Sequence, residues 1–249
     1  MRRFFFDPEG VEPGGVVRLS EAEAHHARDV LRLEREDEVI LVDGRGGEFP
    51  ARIVNLDPGR VDLVIVAALR SESEPPLNLT LGLAVLKSDN MDLVVQKGTE
   101  LGLTRLVPLY TDRSAVRLDG QRAEKKVLRW REIARQAVKQ CRRGRVPDIE
   151  PVMNLDDFLA GPGEAELKIM LYEARRGEGS PWEEVMSRQP RPVKATVLVG
   201  PEGGFTDREV ARAERAGFRP FSLGPRILRA ETAAIAVISV FMFALGDLK

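Results

Sequence analysis

Two stretches near the end of the chain combine bare backbone with charge: "LVGPEGGFTDREV" at residues 198–210 and "SLGPRILRAETAA" at residues 222–234. In each, an apolar run stops at a Gly-Pro turn, and a helix is expected to begin shortly after, near Thr206 and near Ala230. Glycines let a ligand approach the main chain, and a helix N-terminus offers unpaired N–H groups, so the layout suits a nucleotide-like ligand. The familiar phosphate loops are excluded, because neither turn spells Gly-x-x-x-x-Gly-Lys-Ser/Thr or Gly-x-Gly-x-x-Gly. A third strand end, residues 170–173, runs into Ala174-Arg-Arg-Gly177. In open α/β sheets ligands sit beyond the carboxyl ends of the strands. Three such ends would make a pocket of main-chain groups fit for an adenine and a ribose. The alternative for the first turn is a plain helix entry, with Asp207 and Glu209 set against the helix dipole.

The elements that must position these turns follow from periodicity. Residues 79–86, 105–109, 168–172, 195–199 and 220–223 read as strands. Helices are expected over 89–101, 123–141, 206–216 and 230–245; in the second, Val127, Trp130, Ala134, Ala137, Val138 and Cys141 recur at helical spacing. Strands alternating with helices imply a largely parallel sheet. The earlier part differs. Short strands at 16–19, 38–42, 48–56 and 60–67, turned by Asp43-Gly44 and Pro58-Gly59, suggest a small barrel or curled sheet. Ser20 and Glu23 form a capping box for a helix reaching about Leu33. The polar, proline-bearing run 71–76 marks the boundary, giving domains 1–72 and 73–249.

Composition narrows the class. The chain has 249 residues, 43% hydrophobic, with a net charge of -1 and a single cysteine, so no internal disulfide framework is possible. Two adjacent histidines, His25 and His26, and one Cys141 spell no zinc pattern, and no metal is expected. Helical neighbours point about 100° apart, so one histidine should be buried and one near the surface. The apolar run 233–245 is shorter than the roughly 20 residues a membrane span needs. A cytoplasmic protein without membrane attachment is expected.

Charge is uneven. Between Arg113 and Arg145 stand twelve Lys or Arg, including Arg117, Arg135, Lys139, Arg142 and Arg143, against three acidic residues. Phosphate contacts need such a patch. The alternative is a solvated helix face; the imbalance favours RNA. A weaker cluster, Arg2, Arg3, Arg28 and Arg32, lies near Phe4-Phe5-Phe6, which reads first as an edge strand packing on the barrel core and second as a base-stacking surface.

The two glycine-bearing motifs, taken in order, resemble the RsmE family of ribosomal RNA methyltransferases. "VVQKGTELG" (94–102), "DRSAVR" (112–117), "RQAVKQCRRGRVP" (135–147), "RRFFF" (2–6) and "HHARDVLR" (25–32) agree with it, and the match covers nearly the whole chain. The resemblance implies an α/β SPOUT methyltransferase fold with a deep C-terminal trefoil knot and an N-terminal PUA-like β-barrel. It also implies a homodimer that uses S-adenosylmethionine to methylate N3 of a uridine in small-subunit (16S) rRNA. Carried over residue by residue, the adenosyl pocket takes Leu171 and Glu173 from the first strand end and Gly200, Gly203 and Gly204 from the second. Leu223, Gly224, Ile227, Leu228, Thr232 and Ala233 come from the third. In "LKSDNMD" (86–92), Ser88 and Asn90 depart from the expected glycine and basic residue, which weakens an RNA contact at Asn90. The neutral uridine imide is a poor nucleophile, so a carboxylate must take its proton or a cation must hold the resulting charge. Arg229 would stabilise the anion, Glu231 would be the base or orient Arg229, and Glu202 is a third candidate. Two other classes compete: a nucleotide-dependent α/β enzyme, which lacks a P-loop lysine here, and an RNA-binding module, which needs no second pocket.

Overall fold

The computed structural model describes residues 1–161, 165–173, 185 and 189–249. They divide into two compact units, Met1–Glu74 with Val138–Val146, and Pro75–Ala137 with Pro147–Lys249. The linear boundary at 72/73 therefore misses a return of the chain. Val138 shares an apolar cluster with Phe5 and Val42, and Arg143 pairs with Glu74 at 2.8 Å, so segment 138–146 is held with the first unit.

In the first unit, strands β1 (Arg2–Phe5), β2 (Val16–Arg18), β3 (Glu38–Val42), β4 (Gly47–Asp57), β5 (Arg60–Ile65) and β6 (Leu69–Arg70) form one sheet. Its order is β1-β3-β4-β5-β2, with β6 on β4. β1 runs parallel to β3, and β3, β4, β5 and β2 pair antiparallel. Alternation of side chains across the pleat puts Val39, Leu41, Ala51, Ile53, Val61, Leu63 and Ile65 into one core. Phe4 is 0% exposed in that core and Phe5 is buried beside it, which settles this aromatic run as packing. Helix α1 is shorter than its sequence suggests: Glu21–His25, continued by a π-helical turn over His26–Val30 in which Leu31 N donates to His26 O at 2.9 Å. Ser20 accepts from Glu23 N, but the Glu23 carboxylate turns to Lys139 at 3.0 Å, so only half the box forms. His25 faces solvent beside Asp29, and His26 is half-buried, edge-on to Phe4.

In the second unit, β7 (Asn78–Ala84), β8 (Arg105–Tyr110), β9 (Asp148–Ile149), β10 (Met153–Asn154), β11 (Leu167–Leu171), β12 (Lys194–Val199) and β13 (Arg219–Phe221) form a second sheet. The order is β10-β8-β7-β12-β11-β13, with β9 on β8, and every pairing is parallel. The connecting helices are α2 (Ser88–Glu100), α3 (Gly120–Cys141), α4 (Leu155–Ala160), α5 (Asp207–Arg215) and α6 (Ala230–Leu245). A parallel sheet is covered on both faces, which is why β7 and β12 read as near-continuous apolar runs. The short elements α4, β9 and β10 leave too brief a periodic signal to be read from sequence. Trp130 stands fully buried on the apolar stripe of α3, as its spacing predicts. No helix among the described residues is long and apolar enough to cross a membrane.

Candidate functional site

The neighbouring strands β12, β11 and β13 end side by side, at Val199, Leu171 and Phe221. Tyr172 N donates to Phe221 O at 2.7 Å, which ties the last two ends together. Beyond these ends opens a cavity of about 450 Å³. Of the residues proposed from sequence for the adenosyl pocket, Leu171, Glu173, Gly200, Gly204, Leu223, Ile227, Leu228 and Ala233 line it. So do all three charged candidates, Glu202, Arg229 and Glu231.

Three expected residues are not in the lining. A Cβ on Gly203 would lie 3.3 Å from Arg113 Cβ, so this glycine faces a neighbouring loop. Gly224 closes its own turn by accepting from Ser222 Oγ at 2.9 Å. Thr232 is exposed, one helical position past Glu231. The lining also includes Lys87 and Asn90, the latter a departure from the family pattern, together with Tyr172, Ser222 and Arg226. Glycine spacing carries no signal for these side chains; Tyr172 follows the end of β11, and the others arrive because the chain after β7 and after β13 feeds the same cavity. The third strand end's continuation, residues 174–177, lies outside the described residues.

The loop over 200–205 is held rigidly. Gly204 has φ +68°, a conformation that costs a side-chain-bearing residue about 1–2 kcal/mol. Helix α5 opens with a full capping box: Glu209 N donates to Thr206 Oγ1 at 3.3 Å and Thr206 N donates to Glu209 Oε2 at 2.8 Å. Glu209 is 0% exposed, and its other oxygen accepts from Asp112 N at 2.8 Å. A residue read as a dipole partner is thus the buried anchor of the loop.

Acid–base character comes from three groups. Glu231 is 9% exposed, and its Oε2 is buried with no hydrogen-bond partner. Arg229 is exposed at the N-cap of α6, and its side chain makes no capping bond. Tyr172 donates to Asp207 Oδ1 at 2.8 Å; this bond, with burial and the nearby charges of Asp207 and Glu173, raises the phenol above its ordinary range. A carboxylate, a guanidinium and open main chain around one cavity can bind a cationic organic ligand and manage one proton.

The cations expected to meet RNA divide. Arg3 forms a paired bridge to Glu48 at 3.1 Å, Lys139 meets Glu23 at 3.0 Å, and Arg143, 3% exposed, meets Glu74 at 2.8 Å. These three are turned to carboxylates inside the first unit. Arg28 lies against Asp29, and Arg113 donates to Gly203 O at 2.9 Å. Arg2, Arg32, Arg117, Arg135 and Arg142 are exposed. Arg117 also stacks over the Tyr110 ring.

Comparison with known proteins agrees with this geometry. A family model described as RNA methyltransferase domain matches residues 73–242, and one described as RNA methyltransferase PUA domain matches residues 19–66. The ribosomal RNA small subunit methyltransferase E of Rickettsia conorii is 31% identical over 95% of this chain and 93% of its own. The solved structure of the methyltransferase Lpg2936 from Legionella pneumophila, in complex with the bound cofactor SAM, is 34% identical, with a TM-score of 0.89 over 99% of this chain and 98% of that one. The ribosomal RNA small subunit methyltransferase E from Neisseria gonorrhoeae, bound to S-adenosyl methionine, is 33% identical, with a TM-score of 0.88 over 100% of both chains. A cavity at three parallel strand ends, walled by the two glycine-bearing turns, and a match along almost the full length place this chain in the RsmE family of ribosomal RNA methyltransferases.

Proposed function

We propose that this protein uses S-adenosylmethionine to methylate N3 of a uridine in small-subunit (16S) ribosomal RNA. One observation carries the reading: the cavity at the ends of β11, β12 and β13 is lined together by Arg229, by Glu231, whose Oε2 is buried without a hydrogen-bond partner, and by the glycine-bearing turn. The residues fit the cofactor. Leu171, Leu223, Ile227 and Leu228 offer apolar surface for an adenine, and Gly200 and Gly204 offer main chain at the cavity wall. Glu173, Glu202 and Glu231 supply negative charge for a sulfonium cation. When bound, the cofactor supplies an electrophilic methyl carbon, which an in-line nucleophile takes without metal or enzyme nucleophile. What the chain adds is placement and proton handling. Glu231 accepts the uridine N3 proton, or orients Arg229, and Arg229 balances the negative charge that then spreads over the base oxygens. Glu202, exposed at the mouth, is the third acidic candidate.

The reading extends to the rest of the family's architecture. A sheet in which late strand β12 lies between β7 and β11 supports a deep trefoil knot in domain 73–249. The six-stranded, mostly antiparallel sheet supports a PUA-like barrel in domain 1–72 that grips RNA through exposed cations such as Arg2 and Arg32. Phe243, 67% exposed on an otherwise apolar α6, supports a homodimer. The protein acts in the cytoplasm. The test is direct. Wild type should bind S-adenosylhomocysteine by calorimetry and place one methyl on 16S rRNA that blocks reverse transcription, as a modified Watson–Crick edge must. Glu231→Gln should bind the cofactor product and transfer little. Absence of S-adenosylhomocysteine binding at millimolar concentration would remove the reading.

A further inference from the structure

We propose that Arg113 is a positioning residue for the cofactor loop, and that the turn over residues 111–114 is a clasp which keeps loop 200–205 in its binding-competent form. The proposal rests on the function proposed above. The turn is locked on itself: Thr111 N donates to Ser114 Oγ at 2.9 Å, Ser114 N donates to Thr111 O at 3.2 Å, and the two hydroxyls lie 2.9 Å apart. From this fixed base four contacts reach the loop and the helix it feeds. Arg113 Nη1 donates to Gly203 O at 2.9 Å and to Phe205 O at 3.4 Å. Asp112 N donates to Glu209 Oε1 at 2.8 Å, and Thr206 Oγ1 lies 3.1 Å from Asp112 Oδ2.

Gly203 explains the choice of residues. Its absent side chain leaves room for Arg113, whose Cβ and Cδ lie 3.3 and 3.6 Å from where a Cβ would stand. The bareness of this glycine thus serves the clasp, while that of Gly200 makes room for the Phe205 ring and that of Gly204 faces Glu173 at the cavity. Both bonds leave from the one nitrogen Nη1, whose two N–H groups are fixed in the guanidinium plane, whereas an ammonium on a flexible stem has no such fixed plane. Among the twelve basic residues of 113–145, Arg113 then acts on the cofactor side, while exposed Arg117 remains for phosphate.

The experiment uses the full chain with Arg113→Ala and Arg113→Lys. Arg113 is exposed, so neither leaves a buried cavity. If opening cuts the competent loop to one-tenth, the apparent S-adenosylhomocysteine affinity falls about tenfold in Arg113→Ala, with partial recovery in Arg113→Lys. Affinity for transcribed 16S rRNA should change less than about twofold, with an unaltered salt slope, since no phosphate contact is lost. Amide hydrogen exchange over 202–206, measured without ligand, should speed up in Arg113→Ala. Unchanged exchange with unchanged cofactor affinity overturns the clasp. Loss of RNA affinity with cofactor binding intact also overturns it and returns Arg113 to the RNA face. If wild type binds no S-adenosylhomocysteine, the function reading fails instead, and the exchange data alone decide the clasp.

Discussion

Removing the Glu209 carboxylate should cost the protein far more than a surface acid does. Glu209 is fully buried, and its two oxygens accept from Asp112 N and Thr206 N, both at 2.8 Å. Glu209→Ala strands those two backbone donors and breaks the capping box of α5. A stranded donor costs about 1–3 kcal/mol, and the low end applies because both donors are only partly shielded from water. A lost cap costs about 1 kcal/mol. The combined loss is about 3 kcal/mol, which for a chain of this size lowers Tm by about 6–12 °C. Urea denaturation followed by circular dichroism, together with a thermal scan, measures it. Glu209→Gln keeps one acceptor oxygen and should lose about half as much. A loss under about 1 kcal/mol for Glu209→Ala would refute the reasoning, because donors that matter cannot be stranded so cheaply. Equal losses for both variants would show that charge, rather than acceptor count, holds the loop.

Other outcomes follow from the same geometry. Arg143→Ala, which breaks a buried pair, should destabilise by about 3 kcal/mol, whereas Arg117→Ala should leave stability alone and lower the salt slope of RNA binding by about 1. Gly204→Ala forces a side chain into φ +68° with its Cβ 3.1 Å from Glu173 Oε1; a stability loss of about 1–2 kcal/mol and weaker S-adenosylhomocysteine binding should be seen by denaturation and calorimetry. Burial alone would raise the Asp62 carboxyl, but its bonds to Arg18 and Arg60 hold it below the usual range. Its folded value being the lower one, the stability gap between wild type and Asp62→Asn should be full above about pH 5 and close as pH falls below about 4. Tyr172 is raised, so its phenolate absorbance should appear only above the ordinary value of about 10, and Asp207→Asn should bring it down. Its contribution to stability is complete below that pH and is lost as pH climbs through the raised value.

Much of this arrangement is written in local pattern. The strands of the parallel sheet are short apolar runs, the long helices repeat at 3.6 residues, and glycine turns mark the strand ends that meet at the cavity. What local pattern cannot carry is side-chain direction across the fold. Gly203 and Gly204 are adjacent and look alike in sequence, yet one faces Arg113 and the other the cavity. Arg143 and Arg142 are equally basic in sequence, but Arg143 is turned inward to Glu74, a residue nearly seventy positions earlier. Lys87 and Asn90 enter the cavity after β7, which pairs with β12 although it lies far from it along the chain, a neighbourhood that spacing does not encode. The return of 138–146 to the first unit has the same cause: Val138 continues the stripe of α3 without a break, and only its contact with Phe5 and Val42 assigns it elsewhere.

The position of β12 in the sheet also sets a schedule for synthesis. β12 lies between β7 and β11, with Asn78 against Lys194 on one side and Leu167 against Ala195 on the other. Of the named elements, only α5, β13 and α6 follow it along the chain. While a ribosome is still extending the chain, β7 must therefore wait with one edge unpaired, and exposed strand edges invite pairing with other chains. Closing so long a loop late makes this step slow. The strands of the first sheet, by contrast, are all complete by Arg70. The cavity comes into being only once β12, β13 and the start of α6 have been made, so a chain released before them would carry a finished first sheet, a sticky open edge and no binding site.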